Sequence, residues 1–238
     1  MSELSQRFRA LHHGPGPLIL PNVWDAVSAR AVAEAGYPAI ATSSAAMARA
    51  NGYDDGEQTP PVEMFAAIAR IARVVDLPVT ADIEAGYGLA PAELAERLLE
   101  AGAVGCNLED SRPATGELVD PEQQAAYLAD VRAAAGADLV INGRVDIFIA
   151  GSNDVEAAIA RGRLYRRAGV DCVYPIAAPV DTIPLLVKGI GGPVNAHARA
   201  NGPTAAELAA LGAQRISFGA SLHHEMTNAF RTLLANLQ

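Results

Sequence analysis

The sequence predicts an α/β protein of the (β/α)8 barrel (TIM barrel) class, and three observations carry that prediction. The chain has 238 residues, a length typical of one such barrel. Short apolar runs recur roughly every 25 to 35 residues and alternate with Ala-rich stretches, as repeated strand–helix units do. Eight such units use up the whole length, so residues 1–238 are expected to form a single barrel domain.

The predicted strands are short apolar runs without the alternation of a solvent-facing sheet, as expected when helices cover a parallel sheet. They are Leu18–Pro21, Ala39–Thr42, Val79–Asp82, Gly105–Glu109, Leu139–Gly143, Cys172–Pro175, Val194–Asn195 and Arg215–Phe218. An open doubly wound sheet is the alternative. The segment after the first run, Pro21-Asn22-Val23-Trp24-Asp25, argues against it because it has no Gly-rich nucleotide-binding turn.

The predicted helices begin near Pro, Asp, Ser or Thr, and several end in an Ala-Gly pair that suits a left-handed cap. They are Asp25–Ala35, Pro61–Val74, Pro91–Ala101, Pro121–Ala135, Asp154–Ala168, Thr182–Lys188, Thr204–Leu211 and Ser221–Leu237. The connections 43–60 and 111–120 are unusually long. In a barrel both lie at the face that carries the active site, where long loops are commonly functional.

Composition excludes several classes of partner. The formal net charge is −9, and Lys188 is the only lysine, so nothing indicates a nucleic-acid-binding surface. No run of 18 apolar residues, basic amphipathic helix or signal pattern is present, so no membrane partner and a cytoplasmic location are expected. Cys106 and Cys172 lie in apolar runs and are expected to be buried free thiols.

Carboxylates gather where the early strands end. Asp82 and Glu84 are two residues apart and can face the same side of an extended segment. Glu109 ends the next predicted strand, and Asp55 lies in the long connection before them. Converging carboxylates repel one another unless a cation or a proton lies between them, and oxygen ligands suit Mg²⁺ or Mn²⁺. The alternative is that individual acids cap helices or pair with arginine.

Other polar residues lie at the same rim. Arg144 follows the fifth predicted strand and has the fork geometry to bind a carboxylate or phosphate, although it could instead neutralise Asp146 or Glu109. Asn195 ends the seventh strand, and His197 follows it as a candidate for acid–base or anion-binding work. The remaining histidines are expected to be ordinary surface or packing residues. They are His12, His13, His223 and His224.

Ser43 and Ser44 begin the connection after the second strand, where hydroxyl and backbone N–H groups suit a substrate carboxylate. Ser43 lacks a histidine base in the pattern of a nucleophilic serine. Together the strand-end motifs resemble the isocitrate lyase/phosphoenolpyruvate mutase superfamily. They are 21–30 (PNVWDAVSAR), Thr42-Ser43-Ser44, 52–56 (GYDDG), 82–88 (DIEAGYG), Leu108-Glu109-Asp110 and Gly143-Arg144-Val145-Asp146.

The resemblance implies a barrel of the phosphoenolpyruvate/pyruvate type, with the last helix often exchanged between subunits of a homo-dimer or homo-tetramer. It implies Mg²⁺ beside a small anionic keto acid. By position, Asp82 corresponds to the direct metal ligand, while Asp55, Glu84 and Glu109 correspond to ligands that act mostly through water.

The resemblance also assigns substrate contacts and catalytic groups. The residues that correspond to substrate contacts are Trp24, Ser43, Ser44, Arg144 and Asn195. Arg144, Glu109 and Ser43 correspond to the catalytic group, with Arg144 facing the developing negative charge. The shared chemistry is the making or breaking of a C–C or P–C bond next to a keto acid.

The departures from the superfamily narrow the activity. The loop Ser111–Asp120 lacks the Cys motif of the lyases and the Lys and Asn of the mutases, and Tyr174-Pro175 replaces a mutase histidine. Three hypotheses follow: a Mg²⁺-dependent lyase or decarboxylase, a mutase or hydrolase of P–C bonds, and a keto-acid binder without catalysis. Thr115, Glu117 and a metal-bound water are the remaining proton-transfer candidates.

Overall fold

The computed structural model describes residues 2–199 and 202–237, and its strands are short, as predicted. In chain order they are β1 Leu18–Leu20, β2 Asn22–Val23, β3 Ile40–Thr42, β4 Val79–Asp82, β5 Gly105–Leu108, β6 Val140–Val145, β7 Cys172–Pro175, β8 Asn195–His197 and β9 Arg215–Ser217. Eight of them overlap the eight predicted runs, and the first run, Leu18–Pro21, corresponds to β1 alone. The two-residue strand β2 lies just beyond that run and was not predicted.

Parallel pairing closes these strands into a barrel. Strands β2 to β7 pair in sequence order, and β1 pairs with β9, which pairs with β8. A single bridge between Val173 and Val194 joins β7 to β8. Pro21 separates β1 from β2 because it has no N–H group for the ladder. The (β/α)8 prediction is therefore confirmed.

Helices follow the strands and cover their outer faces. They are α1 Glu3–Leu11, α2 Ala26–Glu34, α3 Ser44–Ala50, α4 Pro61–Ala72, α5 Pro91–Glu100, α6 Pro121–Ala135, α7 Val155–Arg167, α8 Ile183–Ile190, α9 Ala205–Ala210 and α10 Ser221–Ala235, with a 3-10 turn at Val180–Thr182. The predicted start signals act as caps: Asp25, Asp120 and Asp154 each accept a backbone N–H of the first turn.

The structure corrects several sequence predictions. Two helices were not predicted: α1 lies before the first strand, and α3 occupies the start of the connection 43–60, which was expected to be a loop. The seventh predicted strand, Val194–Asn195, is wrong in its bounds, because the ladder runs over Asn195–His197 beside β9. The fifth runs further than predicted, to Val145, because its end pairs with Tyr174 and Pro175.

Two kinds of interior result from this arrangement. The outward faces of the strands and the inner faces of the helices form the apolar core, built mainly from Ala, Val, Ile and Leu. Below the barrel, Phe8 of α1 closes the amino ends of the strands and packs against Leu18, Leu20 and Val140. The space inside the strands is lined largely by polar residues.

Two further sequence predictions concern surfaces and thiols. Cys106 and Cys172 are buried and unpaired, as expected, and burial raises the pKa of each thiol to about 12. Within residues 2–199 and 202–237, no helix combines the length and the apolar character needed to cross a membrane.

Candidate active site at the carboxyl ends of the strands

Strand register brings the predicted polar residues to one mouth of the barrel. Asp82 pairs with Asn107, Asn107 with Asn142, and Arg144 with Tyr174 on neighbouring strands. Because side chains alternate along a strand, all five point into the barrel interior. These residues lie towards the carboxyl ends of their strands, which is the end where parallel barrels carry their active sites.

Asp82 is held on both sides of its carboxylate. The backbone N–H and the hydroxyl of Ser44 donate to Oδ2 at 3.0 and 2.9 Å. The Nδ2 atom of Asn107 donates to Oδ1 at 3.3 Å. The backbone N–H of Asp82 donates to Oγ1 of Thr42 at 2.9 Å. The carboxylate is thus oriented by protein donors. Both donor groups of Ser44, which were predicted to suit a substrate carboxylate, are directed to Asp82 in this structure.

Glu84 is fixed by a strained turn. The backbone N–H of Glu57 donates to its Oε2 at 2.7 Å, and the hydroxyl of Tyr87 donates to its Oε1 at 2.9 Å. In return, Oε1 of Glu57 accepts the backbone N–H of Tyr87 at 2.6 Å. All three residues have left-handed backbone, with φ of 59°, 52° and 57° for Glu57, Glu84 and Tyr87. Such backbone strain in non-glycine residues is typical of functional sites.

The carboxylates of the mouth raise one another's pKa. Burial, and after it the charge of Asp55, raises the pKa of Glu84 to about 7. Partial desolvation and then the charge of Asp82 raise the pKa of Asp55, which lies on the more exposed loop. Burial raises the pKa of Glu109 well above its usual range, although the charge of Arg144 opposes this shift. The predicted acidic residues are therefore close enough to interact electrostatically.

Arg144 is paired with two carboxylates. One nitrogen lies 2.6 Å from Oε2 of Glu109, and two others donate to the carboxylate of Asp146, each at 2.6 Å. Asp146 is fully buried and also accepts the hydroxyl of Ser111 at 2.6 Å. The alternative interpretation of Arg144, that it neutralises Asp146 or Glu109, agrees with these contacts, which involve both acids. The same contacts fix the direction of its guanidinium, which suits binding of an anion at the mouth.

The loop 111–120 is tied to the barrel by its ends. Asp110 is fully buried and accepts from the Tyr165 hydroxyl at 2.6 Å and from Arg161 at 2.9 Å. Arg161 also donates to the carbonyl oxygen of Val119 at 2.9 Å, so both ends of the loop meet at one cation. At its tip the side chains of Thr115 and Glu117 are exposed and bond to each other. Neither is placed for proton transfer inside the barrel.

Comparison with known proteins decides the family. The sequence pattern of the phosphoenolpyruvate phosphomutase family matches residues 8–238. The chain belongs to the isocitrate lyase/phosphoenolpyruvate mutase superfamily. It is an enzyme of that superfamily, whose named relatives include lyases and a phosphorylmutase.

Curated superfamily relatives are about one-third identical to the chain over the segments that align. An uncharacterized protein, MT2054, from Mycobacterium tuberculosis (strain CDC 1551 / Oshkosh) is 33% identical over 89% of this chain and 81% of its own. The 2-methylisocitrate lyase of Bacillus subtilis (strain 168) is 30% identical over 74% of this chain and 60% of its own. The chain therefore spans less than two thirds of that lyase.

Solved superfamily structures confirm the barrel. A protein from Burkholderia cenocepacia J2315, named as a candidate phosphonomutase, is 44% identical, with a TM-score of 0.90 over 99% of both chains. A 2,3-dimethylmalate lyase is 25% identical, with a TM-score of 0.87 over 100% of this chain and 88% of its own.

The residues that superfamily resemblance assigned to substrate lie around the same mouth. The ring of Trp24 is half-buried and meets His223 edge-on, with centroids 4.9 Å apart. Ser43 caps α3 through the N–H of Ala46 at 3.4 Å. Asn195 donates to the hydroxyl of Ser217 at 3.0 Å and has no partner for its buried Oδ1. His197 lies at the rim, where its Nε2 contacts the carbonyl oxygen of Phe218.

Sequence reasoning missed other members of the site. Tyr174 is 3% exposed and faces inward beside Arg144. Burial raises its pKa to about 12, an effect that a hydrogen bond with Ser217 partly offsets. For Asn107 the available signal was its position two residues before Glu109, on the same face of one extended run. Tyr174 has no polar residue two positions away that would give the same signal. The contacts of Glu57 and Tyr87 depend on two loops meeting, which no local pattern reveals.

Proposed function

We propose that this protein is a Mg²⁺-dependent enzyme that makes or breaks a C–C bond next to the carbonyl of a small α-keto or α-hydroxy acid, as a lyase or decarboxylase. The observation that supports this most is the acidic group Asp55, Asp82, Glu84 and Glu109 facing Arg144 at one barrel mouth. Carboxylates can hold a metal ion that a substrate anion chelates, and the neighbouring guanidinium of Arg144 can bind negative charge on that substrate. The proposal treats residues 1–238 as one catalytic domain acting in the cytoplasm.

The donor set fits Mg²⁺ better than a transition metal. Across the part of the chain that the structure describes, no three His, Cys, Asp or Glu side chains converge as direct ligands. Mg²⁺ keeps several waters and takes one or two carboxylates directly, and oxygen donors also accept Mn²⁺. We assign Asp82 as the direct ligand, and Asp55, Glu84 and Glu109 as ligands through water. The bound cation would supply stabilisation of an enolate-like charge on the substrate.

The chain's own residues orient and stabilise the substrate. We assign Ser43, Ser44, Trp24 and Asn195 to the substrate contacts, with the unpartnered Oδ1 of Asn195 open to a hydroxyl or water. Glu109 and Asp146 hold the guanidinium of Arg144, which can meet charge that develops away from the metal. Preorganised groups of this kind need little rearrangement during the reaction.

Tyr174 is our candidate for the proton donor that the loop lacks. Its hydroxyl stays protonated at neutral pH, since burial raises its pKa to about 12. It lies beside Arg144 in the ladder, inside the barrel rather than on the exposed loop. A protonated phenol is a donor to a developing enolate, whereas Thr115 and Glu117 face solvent.

Replacing Tyr174 with Phe is expected to lower kcat by about 10²- to 10⁴-fold, the usual contribution of a general acid. Mn²⁺ affinity and oxalate binding should change little, because the ring and its packing remain. Tyr37→Phe, at the outer surface, is the matched control. Steady-state kinetics with Mn²⁺ titrations make the comparison. Equal kcat for Tyr174→Phe and the parent would remove Tyr174 from the chemistry.

A ligand screen tests the proposed function as a whole. Thermal shifts would be recorded with and without Mg²⁺ for oxaloacetate, 2-methylisocitrate, dimethylmalate, phosphonopyruvate, phosphoenolpyruvate and oxalate. A ligand at about 100 times its dissociation constant stabilises the folded state by about 2.7 kcal/mol. Stabilisation only in the presence of Mg²⁺, followed by turnover of that acid, is the expected result. Uniformly flat shifts would mean that the mouth is not a keto-acid site.

Phosphonate chemistry is the second candidate function. The matching family pattern is that of phosphoenolpyruvate phosphomutase, and the 44% identical structure is named as a candidate phosphonomutase. The same screen separates the two candidates. Release of phosphate from phosphonopyruvate, or its conversion to phosphoenolpyruvate, would favour P–C chemistry. Formation of pyruvate-type products from one of the phosphorus-free acids of the screen would favour the lyase.

We also propose that α10 packs on another subunit of a homo-dimer or homo-tetramer. No residue of α10 is buried in the single chain. An apolar row of Met226, Phe230 and Leu233 is 45%, 56% and 63% exposed, at the spacing of one helix face. Light scattering on the purified protein is expected to give two or four chain masses. Phe230→Asp should shift it towards the monomer, and a monomeric parent would contradict the proposal.

A further inference from the structure

Arg215 is a fully buried cation inside the barrel without a charged partner. Its side chain is 0% exposed, and within the described residues no carboxylate lies at ion-pair distance from it. One nitrogen donates to Oδ1 of Asn107 at 3.1 Å, and another lies 3.3 Å from Nε2 of His12. The guanidinium carbon is 5.9 Å from the centre of the Phe8 ring. All of its polar contacts are therefore with neutral groups.

Asn107 connects this cation to the acidic mouth. Its Oδ1 accepts from Arg215 and also from Asn142, at 3.1 and 2.8 Å. Its Nδ2 donates to Oδ1 of Asp82 at 3.3 Å. The oxygen end of the amide therefore faces the cation, and the nitrogen end faces the carboxylate. Ser44 holds the other oxygen of Asp82. The contact with the Asn107 amide therefore completes the positioning of the carboxylate.

Stability does not account for a guanidinium at this position. Burying a cation without an ion pair costs several kcal/mol, and apolar side chains of similar size usually serve a barrel interior better. The charge does favour one orientation of the neighbouring amide. A reversed Asn107 would direct its N–H groups at Arg215 and its oxygen at Asp82, and both contacts would be repulsive.

We propose that Arg215 is a positioning residue for the cation site, because it holds Asn107 in the orientation that fixes the carboxylate of Asp82. The inference rests on the proposed function, in which Asp82 is the direct ligand. The change in cation affinity that it predicts for removal of Arg215 has the opposite sign to the change expected from a purely electrostatic role. Removing a nearby positive charge would by itself strengthen cation binding, whereas loss of ligand orientation weakens it.

The test uses Mn²⁺ alone as the probe and measures its affinity from the electron paramagnetic resonance signal of the free ion. Arg215→Met is expected to raise the dissociation constant by about tenfold, as loss of an outer contact to a metal ligand commonly does. Asn107→Ala, which keeps Arg215, should weaken binding to a similar extent. The double variant should be little weaker than either single variant, because both interrupt the same chain of contacts.

Arg132→Met is the matched control, since Arg132 pairs with Asp171 near the amino ends of the strands and far from the mouth. It should lower the melting temperature without changing Mn²⁺ affinity. If Arg215→Met does not fold, Asn107→Ala decides alone. Unchanged or tighter binding in the folded variants would overturn the positioning role while leaving the proposed function intact. A parent protein that binds no Mn²⁺ would overturn both.

Discussion

Asp82→Ala is expected to remove Mg²⁺-dependent turnover, with kcat/KM lowered by at least about a hundredfold. The reason is geometric. Protein donors already fix both oxygens of this carboxylate, from Ser44 on one side and Asn107 on the other. In the proposed arrangement the other acids reach the cation through water and cannot take over a direct bond. Isothermal titration with Mg²⁺ and steady-state kinetics on the substrate from the screen measure both losses.

The stability of a second variant, Asp82→Asn, separates a functional role of this carboxylate from a structural one. Asp82 adds to the charges that raise the pKa of Asp55, Glu84 and Glu109, so its loss relieves repulsion in the metal-free protein. Asp82→Asn keeps the shape of the side chain and should melt no lower than the parent without Mg²⁺, as expected when a site is built for function. Glu100→Gln, on the exposed end of α5, controls for the loss of one charge. Unchanged Mg²⁺ affinity in Asp82→Ala would defeat the metal assignment.

The acidic members of the site could be predicted from the sequence because strand ends determine their position. Asp82 and Glu109 each end a predicted apolar run, and Glu84 lies two residues beyond Asp82. Parallel pairing brings such strand ends to one face. Arg144 belongs to the same group for the same reason. What remained open was its partner, and the structure shows that Glu109 and Asp146 are both partners.

The supporting residues were beyond prediction because their contacts join distant segments. Glu57 and Tyr87 meet only when the loop before α4 packs on the turn after β4. Arg215 lies 108 positions from Asn107 and reaches it across the barrel, between strands that do not pair. A run such as Arg215–Phe218 has the pattern of an ordinary strand with a polar first residue. Only closure of the barrel gives that first residue its burial.

The two unpredicted helices have a related explanation. The sequence of α3 follows a Thr-Ser-Ser cluster and ends at Asn51-Gly52, a composition that favours loops. In the fold, Ser43 becomes its cap, and Asp82 accepts the N–H of Ser44, so the cluster begins a helix. The helix α1 has few apolar residues, and Phe8 is its only fully buried hydrophobic side chain. Its fold depends on the barrel beneath which it packs.

Phe8→Ala is accordingly expected to lower the free energy of unfolding by about 3–5 kcal/mol, the range for loss of a buried aromatic side chain. The ring is 0% exposed and fills the amino-terminal opening of the barrel among Leu18, Leu20 and Val140. It also meets His12 edge-on, with centroids 4.8 Å apart, and lies under the guanidinium of Arg215. The surrounding strands are held by their ladders, so the cavity has little freedom to collapse. Urea unfolding followed by circular dichroism measures the change.

Leu185→Ala, at a side chain of α8 that is 57% exposed, is the control and should cost less than about 0.5 kcal/mol. A loss below about 1 kcal/mol in Phe8→Ala would mean that α1 does not close the barrel. The variant also bears on the mouth at the opposite end. Because Phe8 and His12 support Arg215 from below, we expect Mn²⁺ affinity to fall together with stability in Phe8→Ala. In Leu185→Ala neither quantity should change by a comparable amount, since the side chain of Leu185 is 57% exposed.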